Sequence, residues 1–351
     1  MKYTKSIGGI SMNENPNTET KSTRNTIQIN VITEKTKKSF KTRLITSIGI
    51  AITCIPALII GDWFFVALIF IFAVVGSYEF IKVLRSKKHP IWIDIFTFIM
   101  TLTFIYWAMF KGYMQNGELI NETGHILISD ISISTLGFAV LICGLFLGAM
   151  LTSKFNVADV CYYFTMSLFL SLSIQAIYFL RFSPMSSITD GYNYNGNQIA
   201  SCCLFVYMII GSFGSDIGAY VIGILFGKHK INPRISPNKT WEGFFGGIII
   251  SFILSFVFAM VLSFNGVPVL KGILDYEHWY WILLLSLTMP VVSVIGDFIF
   301  STIKRHYDIK DFSNVLPGHG GILDRIDSVL VTSLYVTLII ITIHYFPFGI
   351  F

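Results

Sequence analysis

The chain reads as an all-α, polytopic integral membrane protein of about nine transmembrane helices, N-terminus cytoplasmic and C-terminus outside. Three observations predict this. Hydrophobic residues make up 54% of the 351 and charged residues only 13%, against about 25% charge in a soluble domain. Nine apolar segments follow one another from residue 42, each near the roughly 20 residues that cross a bilayer. Once those segments are counted as crossings, the basic residues fall almost entirely on one side.

A polar tail, residues 1–41, comes first. It is rich in Asn, Thr, Lys and Ser and has no apolar core run, so it is not a cleavable signal peptide. Its composition is that of a disordered cytoplasmic segment, and its basic end, Lys35 to Arg43, reads as a positive-inside anchor for the first span, the alternative being a contact with anionic lipid headgroups. The apolar segments then run 42–60, 63–84, 90–110, 135–153, 158–180, 200–227, 241–263, 279–303 and 327–347. The first five form an N-terminal transmembrane region, 42–199. The last four form a C-terminal region, 200–351, which holds the chemistry.

Charge fixes the orientation. With the N-terminus inside, only Lys111, Arg181 and Lys271 of the 25 Lys and Arg lie outside. An extra or missing span would scramble that bias. The outer loops at 111–134 and 181–199 are long and polar, and the second, rich in Asn, Gly and Tyr, reads as a surface loop. Cys54, Cys143, Cys161, Cys202 and Cys203 all lie in apolar stretches without metal-ligand spacing. They read as small core residues, with neither a zinc site nor a disulfide framework. No internal repeat is visible, which argues against a transporter of inverted halves.

Three stretches of the C-terminal half carry candidate chemistry. The first is the sixth segment with its inner loop. Asp216 lies inside an apolar span, where a carboxylate marks a function. Gly214 and Gly218 beside it, and Gly223 and Gly227 further on, either pack helices closely or, next to Asp216, open room for a ligand. Ser236, Pro237, Asn238, Lys239, Thr240 and Glu242 follow, with Pro237 expected in a turn. Lys239 and Thr240 precede the seventh segment, whose first amides suit a phosphate unless Thr240 only starts the helix.

The second stretch is the inner end of segment eight. Asp297, Ser301 and Lys304 are spaced i, i+4, i+7, with Arg305 next to Lys304, so one helical stripe offers a carboxylate, a hydroxyl and cations. The third is the loop DIKDFSNVLPGHGGILDRIDS. Pro317 and Gly318 make a turn there, and His319-Gly320-Gly321 lets the backbone approach a ligand. Asp324 and Asp327 share a face and are typical of hard-cation ligands, unless one merely caps the last helix. Arg325 between them suits a phosphate.

On these residues the chain resembles the phosphatidate cytidylyltransferases, or CDP-diacylglycerol synthases. The family signature is matched in order by Ser301, Lys304, Arg305, Lys310, Asp311, Ser313, His319, Gly320, Gly321, Asp324, Arg325 and Asp327. Gly296-Asp297, the Asp216 region and the Ser236 to Glu242 loop also resemble the family. The likeness is convincing over roughly residues 210–330, and the N-terminal half shares little beyond Arg43 and Glu79. Asn238 stands where the family commonly has lysine.

The resemblance implies that CTP and phosphatidate give CDP-diacylglycerol and pyrophosphate, using Mg2+ or Mn2+ together with K+. It implies a homodimer embedded among membrane lipids, with no nucleic acid partner. It assigns Asp297, Asp324 and Asp327 to the metal, and Lys304, Arg305, Lys310 and Arg325 to the phosphates. Asp216, Ser236, Lys239 and Thr240 would line the nucleotide or cation pocket, Ser301 would bind substrate, and His319, Gly320 and Gly321 would shape the loop. The expected location is the cell's inner (plasma) membrane, with the active site facing the cytoplasm. The rivals are a CTP-dependent membrane lipid kinase, which would release CDP, an ion-coupled transporter using Asp216 and Asp297, and a lipid-embedded scaffold, which gives no reason for the buried aspartates.

Overall fold

A computed structural model describes residues 34–85, 88–116, 131–182 and 202–345. The polar tail as far as residue 33, most of the 111–134 loop and nearly all of the 181–199 loop lie outside the described residues. Nine helices are present among those described: α1 Glu34–Ile60, α2 Asp62–Leu84, α3 Ile91–Asn116, α4 Ile131–Leu151, α5 Val157–Phe182, α6 Cys203–Phe226, α7 Trp241–Phe264, α8 Trp279–His306 and α9 Leu323–Tyr345. Six of them, α2 and α5 to α9, are long and apolar enough to cross a membrane, and α1, α3 and α4 hold shorter apolar runs. These helices are apolar on most faces rather than along one stripe, as expected of helices surrounded by lipid and by each other. The protein is thus a mostly helical membrane protein.

Contacts between helix ends show which ends lie together. Thr46 and Ser47 of α1, Glu79 of α2 and the start of α9 meet around residues 313–323. Asp94 of α3 and Tyr163 of α5 meet beside Ile81 of α2. At the opposite end, Arg181 of α5 donates to the Leu58 carbonyl of α1, and Tyr207 of α6 to the Ile282 carbonyl of α8. Helices consecutive in sequence therefore run in alternating directions.

Helix α5 is the hub. It packs on α2, α3, α4, α6 and α9 and buries Tyr163, Met166, Leu170, Ile174 and Leu180. It opens with a reciprocal cap in which the Asn156 and Asp159 side chains each accept the other's backbone N–H at 3.1 Å. That arrangement satisfies amides a helix start leaves bare.

The most extensive helix pair is α6 with α7. A Cβ at Gly214 would sit 3.3 Å from the Ser251 Cα, and one at Gly218 would sit 3.0 Å from the Gly247 Cα. The two backbones touch because both helices present small residues, and the Ser251 hydroxyl donates to the Gly211 carbonyl at 2.6 Å. Ser212, Ser215 and Ser293 add a hydroxyl chain from α6 to α8. With lipid outside, close packing and such polar contacts are what hold helices together. The glycines beside Asp216 are thus filled by α7 and do not open room for a ligand.

Between α6 and α7 the chain makes a small antiparallel hairpin, β1 Lys230–Asn232 and β2 Ser236–Thr240, which the all-α expectation did not include. Pro237 lies in β2, and the turn falls at 233–235. The Asn232 side chain closes that turn by accepting from Arg234 N and Ile235 N, and Pro233 follows it as the first turn residue.

Candidate active site

The segment joining α8 to α9 is folded by Asp324. One carboxylate oxygen accepts from the Lys304 ammonium at 2.8 Å. The other accepts from Phe312 N at 2.9 Å and Gly321 N at 3.0 Å. Lys304 is 8% exposed, so this is a buried ion pair whose second carboxylate oxygen is used on backbone. Such a pair holds only when its hydrogen bonds are complete. Within the segment, Leu316 and Gly320 form a bridge around the turn Pro317-Gly318-His319. Gly320 has φ +91, and a Cβ there would lie 3.3 Å from the carboxylates of Asp311 and Asp324. A side chain would be strained in that conformation and crowd the site.

A second carboxylate arrives from far along the chain. Glu79 on α2 is fully buried. It accepts from the Ser313 hydroxyl at 2.6 Å and from Ile322 N and Leu323 N at 2.8 Å each. The last two are bare amides at the start of α9, so Glu79 caps that helix from outside and places negative charge at its positive end. Helix α9 consequently begins four residues before the apolar run at 327, which sets Asp324 and Asp327 inside its first two turns. A Cβ at Gly321 would lie 2.8 Å from both Glu79 oxygens, so glycine there is the condition for the cap. From α1, Thr46 donates to the Pro317 carbonyl at 3.0 Å, and Ser47 meets His319 Nε2 at 3.1 Å.

The other half of the site centres on Asp297, about 13 Å from the end of α8 at 1.5 Å per residue. Its carboxylate pairs with Lys239 Nζ at 2.5 Å and accepts from the Ser301 hydroxyl at 3.2 Å. Lys239 also lies 4.5 Å over the Phe298 ring, which stabilises a partly desolvated cation. Asp216, on an accessible face of α6, feels both Asp297 and Lys239. Asp327 feels Asp297, Lys304 and Asp216, so it links the two halves.

Arg305 ties the hairpin to α8, donating to the carbonyls of Ile235 and Ile309. Arg325 donates twice to the His319 carbonyl, and both guanidiniums remain exposed. Lys310 is exposed and makes no ion pair among the described residues, and Ser236 reaches none of the other predicted residues. The Thr240 hydroxyl caps α7 by accepting from Gly243 N at 3.2 Å. At the rim, Tyr307 packs edge-on against Tyr162, ring centroids 4.8 Å apart. Burial, with Asp159 nearby, pushes its hydroxyl up to about 12, so it stays neutral.

The donor set suits a hard divalent cation. Asp216 and one oxygen of Asp327 carry no hydrogen bond among the described residues, and both feel the charge of Asp297. Carboxylates left unpaired at this depth are costly without a cation. Asp324 differs, because three of its roughly four lone-pair positions are already taken. Among the described residues, no three carboxylate, His or Cys side chains are gathered at ligand distance.

Of the residues predicted from sequence, Asp216, Lys239, Asp297, Ser301, Lys304, Gly320, Gly321, Asp324 and Asp327 are brought together. Glu79 was not singled out for chemistry, although a carboxylate within a span was signal enough.

The sequence from 41 to 344 matches the model of the cytidylyltransferase family. The phosphatidate cytidylyltransferase of Bacillus subtilis is 31% identical over 293 residues, covering 83% of this chain and 93% of that protein. That of Haemophilus influenzae is 28% identical over 291 residues, covering 82% and 94%. One from Staphylococcus epidermidis is 43% identical over 128 residues, covering 36% and 44%. A family match across most of the chain and a relative this similar along nearly its whole length lead to one conclusion: the chain belongs to the cytidylyltransferase family.

Proposed function

We propose that this protein transfers a cytidylyl group from CTP to phosphatidate, giving CDP-diacylglycerol and pyrophosphate for phospholipid synthesis. The observation that carries the reading is the folded α8–α9 segment. Lys304, Gly320, Gly321 and Asp324 stand in one network there, and the exposed Arg305, Lys310 and Arg325, with Lys239 on Asp297, supply further cations. The phosphatidate phosphate oxygen attacks the α-phosphorus of CTP. A new P–O bond forms there as the bond from the α-phosphorus to the bridging oxygen breaks, and that oxygen leaves with the pyrophosphate. No nucleophilic side chain is needed, because the lipid supplies the nucleophile.

The work left to the protein is positioning and neutralising charge. Lys239 and Lys304 are held in place beforehand by Asp297 and Asp324, so little reorganisation is required when phosphates arrive. Arg305 and Arg325 spend part of their donors on backbone carbonyls, which fixes their planes and leaves other N–H groups for phosphate oxygens. Asp297 and Asp327, with Asp216 and the remaining lone pair of Asp324, are the groups to hold Mg2+ or Mn2+. Such a cation supplies Lewis-acid stabilisation of the phosphate oxygens. A K+ ion in the same pocket is part of the proposal.

The proposed topology has nine spans, the N-terminus in the cytoplasm and the site facing CTP there. The alternating helix directions and the charge distribution support it. The proposed setting is the plasma membrane, with a homodimer as the working form.

The test uses detergent-purified protein, phosphatidate and CTP labelled on the α-phosphate, in Mg2+ and K+. Label entering the lipid with equal release of pyrophosphate is expected, and Asp324→Asn should abolish it. Release of CDP without labelled cytidylyl lipid would replace the reading with that of a lipid kinase.

A further inference from the structure

Helix α2 presents a second face, away from Glu79. Tyr78, Ile81, Lys82 and Arg85 are spaced i, i+3, i+4, i+7 and so form one stripe. Across from them, at the start of α3, stand Ile91, Asp94, Ile95 and Phe98. Together these eight residues line an open groove of about 240 Å³. Its upper edge is cationic. Lys82 lies 5.9 Å from the Tyr78 ring, and neither Lys82 nor Arg85 has an acidic partner among the described residues. The one acid in the lining, Asp94, is 8% exposed and already accepts from the Tyr163 hydroxyl at 2.6 Å while pairing with His89 at 2.6 Å. Its charge is thus committed inward, away from the groove.

Below the cations the groove is apolar and continuous with exposed hydrophobic surface. Ile91, Ile95 and Ile99 are 59%, 53% and 56% exposed along α3, and Ile71 and Phe64 extend the α2 side below Tyr78. Two cations above an apolar slot, at the end of the helices where charged loops gather, match one kind of molecule. It carries a phosphate at the membrane surface and an acyl chain pointing into the bilayer. A positive-inside anchor would account for the charges alone, but not for their place on the rim of an apolar groove.

We propose that the α2–α3 groove binds an anionic phospholipid, with Lys82 and Arg85 on its phosphate and Ile91, Ile95 and Phe98 along an acyl chain, as a site separate from that of the reacting lipid. Cytidylyl transfer plays no part in the argument, so the groove can hold its lipid whether or not that reading stands.

The test is photo-cross-linking of the full chain in phosphatidylcholine vesicles doped with photoactivatable phosphatidylglycerol or photoactivatable phosphatidylcholine. The phosphatidylglycerol probe should label residues 78–98 roughly thirtyfold more than the phosphatidylcholine probe, given about 1 kcal/mol for each of the two cations at a membrane surface. K82Q/R85Q should bring it to the phosphatidylcholine level, with unchanged thermal melting and unchanged pyrophosphate release on phosphatidate. Ile95→Trp, which fills the groove and keeps both cations, should lower labelling as well. Excess inorganic phosphate should leave it intact. Equal labelling by the two probes, or no labelling of 78–98, would overturn the proposal. So would full labelling in Ile95→Trp or displacement by inorganic phosphate. Loss of pyrophosphate release along with the label in K82Q/R85Q would place the groove on the substrate's path and overturn a separate site.

Discussion

Two helices begin at the candidate active site, and their first turns are satisfied by opposite means. Helix α7 is capped by its own neighbour, with the Thr240 hydroxyl accepting from Gly243 N three residues on. Helix α9 is capped by Glu79, which reaches Leu323 N from a position 244 residues earlier. The first cap is local chemistry that any Thr before a helix supplies. The second exists only after α2 and α9 have packed. It therefore makes the shape of the α8–α9 segment depend on the N-terminal half of the protein. The cations proposed to bind phosphates sit in the C-terminal half, but one of the groups that holds their loop, Glu79, comes from the other.

Changes at the two helix starts should separate in size. The largest effect is expected at Asp324, which serves the α9 side alone. Asp324→Ala leaves the Lys304 ammonium buried without its partner and two amides bare. Breaking a buried pair costs about 3–5 kcal/mol, so thermal unfolding in detergent should shift far down and cytidylyl transfer should vanish. Lys304→Met, which removes the buried charge as well, should recover part of the stability in the double variant without recovering activity.

Next comes Glu79→Gln. The amide can still accept from one backbone N–H, but it loses the charge and sets donors against donors, at about 1–3 kcal/mol. Hydrogen exchange at Ile322 and Leu323 should accelerate while the amides of α7 stay protected. Gly321→Ala should resemble Glu79→Gln in both readouts, because its methyl group occupies the space of the Glu79 carboxylate. An unaltered exchange pattern in Gly321→Ala would mean the cap tolerates displacement.

The smallest effect is expected at Thr240. Thr240→Ala should cost about 1 kcal/mol and speed exchange only in the first turn of α7, and Thr240→Ser should restore protection. If Thr240→Ala loosened residues 312–323 as much as Glu79→Gln does, the two helix starts would not be independent.

What was legible in the sequence follows the same division. The helices could be read because apolar runs near bilayer length have few other uses, and the α8–α9 signature because its charges are dense in an otherwise apolar chain. Thr240 could be read as a helix start from its neighbours alone. Glu79 could not be paired, since nothing near it in sequence hints at Ser313, Ile322 or Leu323. The apolar run alone begins at 327, because Asp324 and Arg325 break its pattern, and the cap that sets the helix start at Leu323 is distant. The hairpin escaped because its turn is Asn232-Pro233, four residues before the Pro237 expected to turn the chain, and its strands are too short to show an alternating pattern. Gly214 and Gly218 misled because spacing gives a close approach but not the partner, which is α7.

The most direct test of the central claim joins chemistry and structure in one preparation. Transfer of α-phosphate label from CTP to phosphatidate would be measured for the wild-type protein and Glu79→Gln, with amide exchange followed over residues 312–323. Cytidylyl lipid and pyrophosphate in equal amounts from the wild type are predicted, with transfer falling in Glu79→Gln as protection at Ile322 and Leu323 is lost. Full transfer by a Glu79→Gln protein whose α9 start exchanges freely would contradict the account.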